Sequence, residues 1–237
     1  MNKLDKYQKW LKEISDEVQG LTFSLDVWKQ VTEIENNSEY FKKWGGHFQH
    51  WQNQNYTYRM VITLGGITDP CTTQKDDRNF IKFLGELKNC NYISFERFLK
   101  TYSIPPVAES KRKIIEYIGD VAIYEIVRTI EDAQNEFKEI TGYSYKEKDF
   151  SKMIDKDIEE VKQIFIKIKK WRHKKLAHIT KTTVEKVPTY EDIEKSIEQL
   201  QILVKKYYLI LFNTYQTFHY NNLNVKTVFQ KAWIKDD

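Results

Sequence analysis

The chain has 237 residues, enough for one large domain, and 38 Lys+Arg against 34 Asp+Glu leave a net charge of +4. Its 41% apolar and 14% aromatic content supplies enough buried surface to offset chain entropy, which excludes intrinsic disorder. Eight glycines and four prolines argue against turn-rich sandwiches and barrels. No G-x-G-x-x-G or G-x-x-x-x-G-K occurs, which argues against glycine-loop nucleotide folds.

In chain order, the first twelve residues alternate charged and apolar types and lack the apolar core of a signal peptide. Leu4, Tyr7, Leu11, Ile14 and Val18 recur at helical spacing, and Gly20 reads as a C-terminal stop. A shorter helix is predicted over residues 25–34. A long one is predicted over 39–64, with Phe41, Trp44, Phe48, Trp51, Tyr58 and Val61 as its packing stripe, weakened at Gly45-Gly46 and closed by Asp69-Pro70. Short helices are expected over 77–87 and 94–101. After Pro105-Pro106, a long helix is predicted over 109–139, ended by Thr141-Gly142. Further long helices are predicted over 149–179 and 190–212. Thr189 and Asp192 form the S/T-x-x-D/E pattern of a capping box, a weak one because Asp reaches back less well than Glu. No two-residue alternation is long enough to suggest a sheet. The expectation is an all-α fold, a bundle of long helices with extra short ones, as one domain over 1–212 and an unassigned C-terminal tail over 213–237.

Charge is unevenly placed. Between Glu160 and Glu185 there is no acidic residue, while Lys162, Lys167, Lys169, Lys170, Arg172, Lys174, Lys175 and Lys181 contribute +8. The rest of the chain, +4 less +8, is −4. Such a block is the footprint of a phosphate-bearing partner. It is equally the pattern of a solvated helix face balanced by acids on neighbouring helices. With Val161 at 0° and about 100° per residue, Phe165, Ile168, Leu176 and Ile179 define a core-facing stripe. Arg172 falls at about 20°, in the middle of it. A guanidinium there must lose water or find a partner. Two readings stand: a structural ion pair with an acid on another helix, or a cation aimed at a ligand. His178 lies about 120° around and about 9 Å along the helix from Arg172, so one straight helix does not bring the two together. An unwound helix end or a second subunit would.

The segment Trp171-Arg172-His173-Lys174-Lys175-Leu176-Ala177-His178 resembles the signature of the HEPN superfamily. That signature is Arg, four to six residues, then His, with a polar residue commonly following the Arg, toward the end of a late helix of an all-α bundle. The stretch Ile62-Thr63-Leu64-Gly65-Gly66-Ile67-Thr68-Asp69-Pro70, followed by a short helix near 80–87, resembles the abortive-infection branch, the AbiU-like proteins. In layout the resemblance covers residues 25–212. It implies metal-independent endonucleolytic cleavage of RNA at a homodimer cleft, without a cofactor. Arg172 and His178 would be catalytic, with His173, Lys174, Lys175 and Lys170 supporting or binding RNA. It further implies a toxin or anti-phage effector with an antitoxin or defence-system partner. The alternative is a catalytically silent HEPN-like module that binds nucleic acid, a nucleotide or a partner protein. Some HEPN proteins carry a Tyr two residues after the His, tied to a partner nucleotidyltransferase. Position 180 is Thr, so that regulation is not inferred.

Other features carry less. His47 and His50 are spaced to share a helix face but have no adjoining acidic or Cys ligand, so no metal is expected. Glu131-Asp132 are adjacent and do not face each other. Cys71 and Cys90, 19 apart, read as reduced thiols. The longest uncharged run, residues 207–225, is interrupted by Asn213, Gln216, His219 and Asn221 and makes a poor membrane span. A soluble cytoplasmic protein is the expectation.

Overall fold

Helix α1 (Lys3–Asn37) opens the fold and runs straight through Gly20. The glycine costs about 1 kcal/mol relative to alanine, but Val18, Leu21 and Leu25 on either side are buried, and tertiary burial outweighs the local propensity. The expected stop at Gly20 is therefore absent, and the two helices predicted there are one. The computed structural model describes residues 3–70, 79–102, 106, 112–118, 121–126, 129–171, 188–218 and 225.

The predicted helix over 39–64 is two, α2 (Glu39–Trp44) and α3 (Gly46–Thr68), joined at Gly45. A Cβ at Gly45 would lie 2.7 Å from both the Phe41 ring and the Phe41 carbonyl oxygen, so the corner needs glycine. Asp69 caps α3 and receives the chain's exit, as the Asp-Pro pair implied. Next come α4 (Phe80–Asn89) and α5 (Phe95–Leu99), capped by the side chains of Asn79 and Ser94. Buried Asn79 also donates to the Asp69 carbonyl at 3.0 Å, tying the end of α3 to the start of α4.

The first half of the helix predicted over 109–139 is instead a β-hairpin, β1 (Arg112–Ile118) and β2 (Val121–Ile126), antiparallel. Its register places Ile118 opposite Val121, leaving Gly119-Asp120 between the strands, a dipeptide suited to a two-residue turn. A shift between Ile114 and Glu116 adds one residue to β1. That bulge interrupts the two-residue period which would have announced the strand. Helix α6 (Ile130–Thr141) takes only the second half of the predicted range and ends at left-handed Gly142, φ 76°.

Two long helices complete the bundle, α7 (Ser151–Trp171) and α8 (Tyr190–Phe212). The Thr189–Asp192 capping box is formed in both directions. The Asp192 carboxylate accepts the Thr189 N–H and hydroxyl at 2.9 Å each, and the Asp192 N–H donates back at 3.1 Å. Aspartate therefore reaches its cap without difficulty. Among the described residues the hairpin is the one departure from helix, and the fold is an all-α bundle with that insert.

One hydrophobic cluster runs from Tyr7 on α1 to Phe218 beyond α8. Phe80 and Phe83 meet the buried Tyr207 ring edge-on at 6.0 and 5.9 Å. Burying each such ring is worth about 1.5–3 kcal/mol. Phe95, Phe98 and Phe150 surround Phe137 at 5.3–5.6 Å.

Polar ties set the helix directions. Gln8 donates to the Leu211 carbonyl, Gln201 to Thr22, and Lys29 pairs with Glu194, so α1 and α8 are antiparallel. Lys206 meets Asp157 and Gln199 meets Glu160, so α8 and α7 are antiparallel too. Trp28 donates to Asn53, while Ile14 and Glu17 lie beside Ile62 and Gly66, which runs α3 opposite to α1. One end of the bundle thus gathers the last turns of α1, α2, the first turns of α3, the end of α7 and the start of α8.

Candidate functional site

The core stripe predicted for α7 is formed where it is described: Val161, Phe165 and Ile168 are buried, with Ile164 beside them. The same stripe already holds a charge that the sequence reading did not single out. Asp157, at about 320° on the same wheel, is buried and accepts the Lys206 ammonium at 2.7 and 3.0 Å and the Tyr207 hydroxyl at 2.7 Å. Burial, with the Asp157 carboxylate beside it, pushes the Tyr207 phenol well above its ordinary value. The signal was present: an acid four residues before Val161 shares its face.

Past Asp157 the helix changes character. Asp155 is bonded to Lys88, and Glu160 lies 3.9 Å from Lys156. After Glu160, Lys162 is half-buried while Lys167 and Lys169 are exposed, and none forms a salt bridge among the described residues. Lys169 holds its ammonium 5.8 Å from the centre of the Phe165 ring. Lys167 reaches the start of α8, where Asp192 is held below the usual carboxylate range. The Thr189 backbone N–H is the main cause and the Thr189 hydroxyl the next, with Lys167 adding to them.

Lys170 lies in the last turn of α7, where only the backbone is described. Arg172, His173, Lys174, Lys175 and His178 lie outside the described residues. The chain leaves the described region at Trp171 and re-enters at Pro188 just before Tyr190, at the end of the bundle that gathers α2 and the start of α3.

That end carries features the sequence reading placed differently. The α3 face that packs inward is Tyr56, Met60, Val61, Leu64 and Ile67. Phe48 and Trp51, counted in the expected packing stripe, are 45% and 60% exposed. Counting aromatic residues selected the wetter face. Within the bundle, Trp28 stacks on Tyr56 at 4.9 Å and on Tyr190 at 4.5 Å. Four buried polar atoms lack a partner among the described residues here: Thr32 Oγ1, Glu35 Oε1, Gln52 Oε1 and Tyr56 Oη. Burial raises the Glu35 carboxyl above its ordinary range. His50 is bonded to Gln54 at 2.9 Å, and no group of three potential metal ligands occurs among the described residues. Asp132 serves as the back-bonding residue of a second capping box, with Thr129. No helix among the described residues is long and apolar enough to cross a membrane.

An all-α bundle whose seventh helix ends in an acid-free basic run has the layout of a HEPN-type protein. The AbiU2 family model matches residues 5–228, and the chain belongs to that HEPN family. No curated protein and no solved structure matches it.

Proposed function

We propose that the chain is a metal-independent endoribonuclease of the HEPN type, acting at a homodimer cleft as a toxin or anti-phage effector with an antitoxin or defence-system partner. The observation that carries this reading is the AbiU2 match over residues 5–228, which spans the Arg172-to-His178 spacing. The exposed Lys167 and Lys169 leading into that segment support it, since neither forms a salt bridge among the described residues.

RNA carries its own nucleophile in the 2′-hydroxyl. As neutral imidazole His178 takes its proton, or as imidazolium it gives one to the leaving 5′-oxygen, and both forms are accessible near neutral pH. Arg172, always charged and bidentate, holds the charge that develops on the phosphorus oxygens. The 2′-oxygen bonds to phosphorus as the bond to the 5′-oxygen breaks, leaving a cyclic phosphate and a 5′-hydroxyl. A two-fold axis beside the segment would bring two Arg172 and two His178 to one cleft. Lys170, Lys174 and Lys175 would hold flanking phosphates, with His173 orienting substrate or Arg172, and binding would weaken with salt.

Incubation with RNA in EDTA tests this. Wild type is expected to cleave, and Arg172→Ala and His178→Ala to lose at least about a hundredfold in rate. Undiminished cleavage by either variant removes the site assignment. A second reading, a silent module that binds without cutting, is favoured by Asp157: the α7 seam already accommodates one charge by pairing it with α8, and Arg172 is open to the same use. Salt-sensitive RNA binding without cleavage would select it.

A further inference from the structure

Residues 40–68 contain no acidic residue, while they carry Lys42, Lys43 and Arg59 and a run of side-chain amides at Gln52, Asn53, Gln54 and Asn55. On this stretch the rings of Phe41, Phe48 and Trp51 follow one another, with centroids 6.3 and 6.0 Å apart. Phe48 and Trp51 face solvent, and Trp51 forms one wall of a cleft of about 260 Å³ between α1 and α3. Trp28, Gln52, Asn55, Tyr56 and Arg59 are among its other lining residues. Carboxylates also stand at this end: Glu39 is bonded to Lys42 and Glu194 to Lys29, Asp192 closes its capping box, Glu35 is buried, and Glu33 lies on the last turns of α1.

We infer that this outer face of α2 and α3 is a second contact for single-stranded RNA, with bases stacking on Phe48 and Trp51 and phosphates meeting Lys42, Lys43 and Arg59. The inference rests on the RNA reading above and extends it to where the substrate strand runs. Three observations favour RNA over a protein occupant. Residues 40–68 add Lys42, Lys43 and Arg59 and no carboxylate, and the one acid of α2, Glu39, holds Lys42 only in an exposed pair that a phosphate can displace, which suits a polyanion. Phe48 and Trp51 are neighbouring exposed rings, and stacking on such rings accepts any base. The face lies at the end of the bundle where α7 delivers exposed Lys167 and Lys169, so one strand can contact both. Duplex RNA hides its bases within the stack and would not use the rings.

Fluorescence anisotropy with a labelled single-stranded RNA of about 15 nucleotides measures the effect, in the His178→Ala background so that the probe survives. Trp51→Ala is expected to weaken binding about tenfold, Trp51→Phe to retain most of it, and duplex RNA of the same length to be indifferent to either. Thiouridine-substituted RNA is expected to crosslink within residues 47–59. An unchanged single-strand affinity in Trp51→Ala overturns the inference. So does a sedimentation shift from dimer to monomer in that variant with RNA affinity intact, which assigns the face to a second copy of the chain. Absence of cleavage by wild type, with Trp51-dependent binding preserved, removes only the nuclease reading. Cleavage with binding indifferent to Trp51 removes only this one.

Discussion

Asp157 and Lys167 stand about 15 Å apart along α7 and solve the problem of charge in opposite ways. Asp157 is taken out of water and held by an ammonium and a phenol from α8. Lys167 is left in water, with its field on Asp192 and no salt bridge among the described residues. Around Asp157 the helices are joined by paired charges and edge-to-face rings. At the end of the bundle that Lys167 approaches, Phe48 and Trp51 are exposed and several buried polar atoms lack a partner among the described residues. A structural ion pair fixes one arrangement of two helices. Exposed cations and exposed rings add little to the fold, and their presence argues for a use outside it.

The contrast breaks first at Asp157. Asp157→Ala leaves Lys206 without its partner in a mostly buried site, and unfolding free energy should fall by about 3 kcal/mol or more. Urea unfolding followed by tryptophan fluorescence reads it. Replacing all three members, Asp157→Leu with Lys206→Met and Tyr207→Phe, should recover most of the loss, because no member of the cluster is then left buried without its partner. Lys167→Ala should change stability by less than about 0.5 kcal/mol. A small loss in Asp157→Ala would mean that α7 and α8 are joined by packing alone.

Much of the bundle was legible from period alone, because helices such as α8 bury every third or fourth residue and begin at a marked cap. Gly20 misled for a physical reason: a helix propensity of about 1 kcal/mol is outweighed by the burial of neighbouring Val18 and Leu21. The hairpin was hidden by its bulge, although Gly119-Asp120 between runs rich in Ile, Val and Tyr marked it. The α3 stripe was assigned to the wrong face because aromaticity was taken for burial, and Trp51 shows that the two differ. Asp157 went unnoticed because its partners are about fifty residues away, and nothing local announces a pairing at that separation. The Arg172-to-His178 spacing was visible, but spacing alone does not say what an arginine on a packing stripe touches.

A second test uses the same chemistry in both regions. Thr189 and Thr129 each cap a helix with an aspartate three residues on. Thr189→Ala and Thr129→Ala should each cost about 1 kcal/mol at pH 7. The Asp192 carboxyl is held below its ordinary range in the fold. Its contribution is therefore present above the unfolded value and is lost as pH falls through the folded one. The Thr189→Ala penalty should accordingly shrink in strong acid. Raising salt should reduce it further if the field of Lys167 matters, since exposed charges are screened. A penalty independent of pH would show that the hydroxyl acts without the carboxylate.

Glu35, near the end of α1, gives a small effect of opposite sign. Its carboxyl is buried, one oxygen has no partner among the described residues, and burial holds its pKa above the ordinary value. A raised folded pKa means that the neutral acid is tolerated and the ion is not. Stability is therefore full below the unfolded value and declines as pH rises through the folded one. Glu35→Gln removes the ion while keeping the shape, so it should stabilise the protein at pH 7 by up to about 1 kcal/mol, a Tm gain of about 2–4 °C. The gain should vanish at about pH 4 and below, where wild type is neutral as well. Thermal unfolding across that range checks it. A strained, under-bonded carboxyl beside the face assigned to RNA is the kind of feature kept at a cost in stability. Should Glu35→Gln stabilise the fold and also weaken RNA binding, the strain at this end would be tied to its use. Should it stabilise the fold and leave binding intact, the unpaired atoms here would be a tolerated defect of packing, separate from the exposed rings of Phe48 and Trp51.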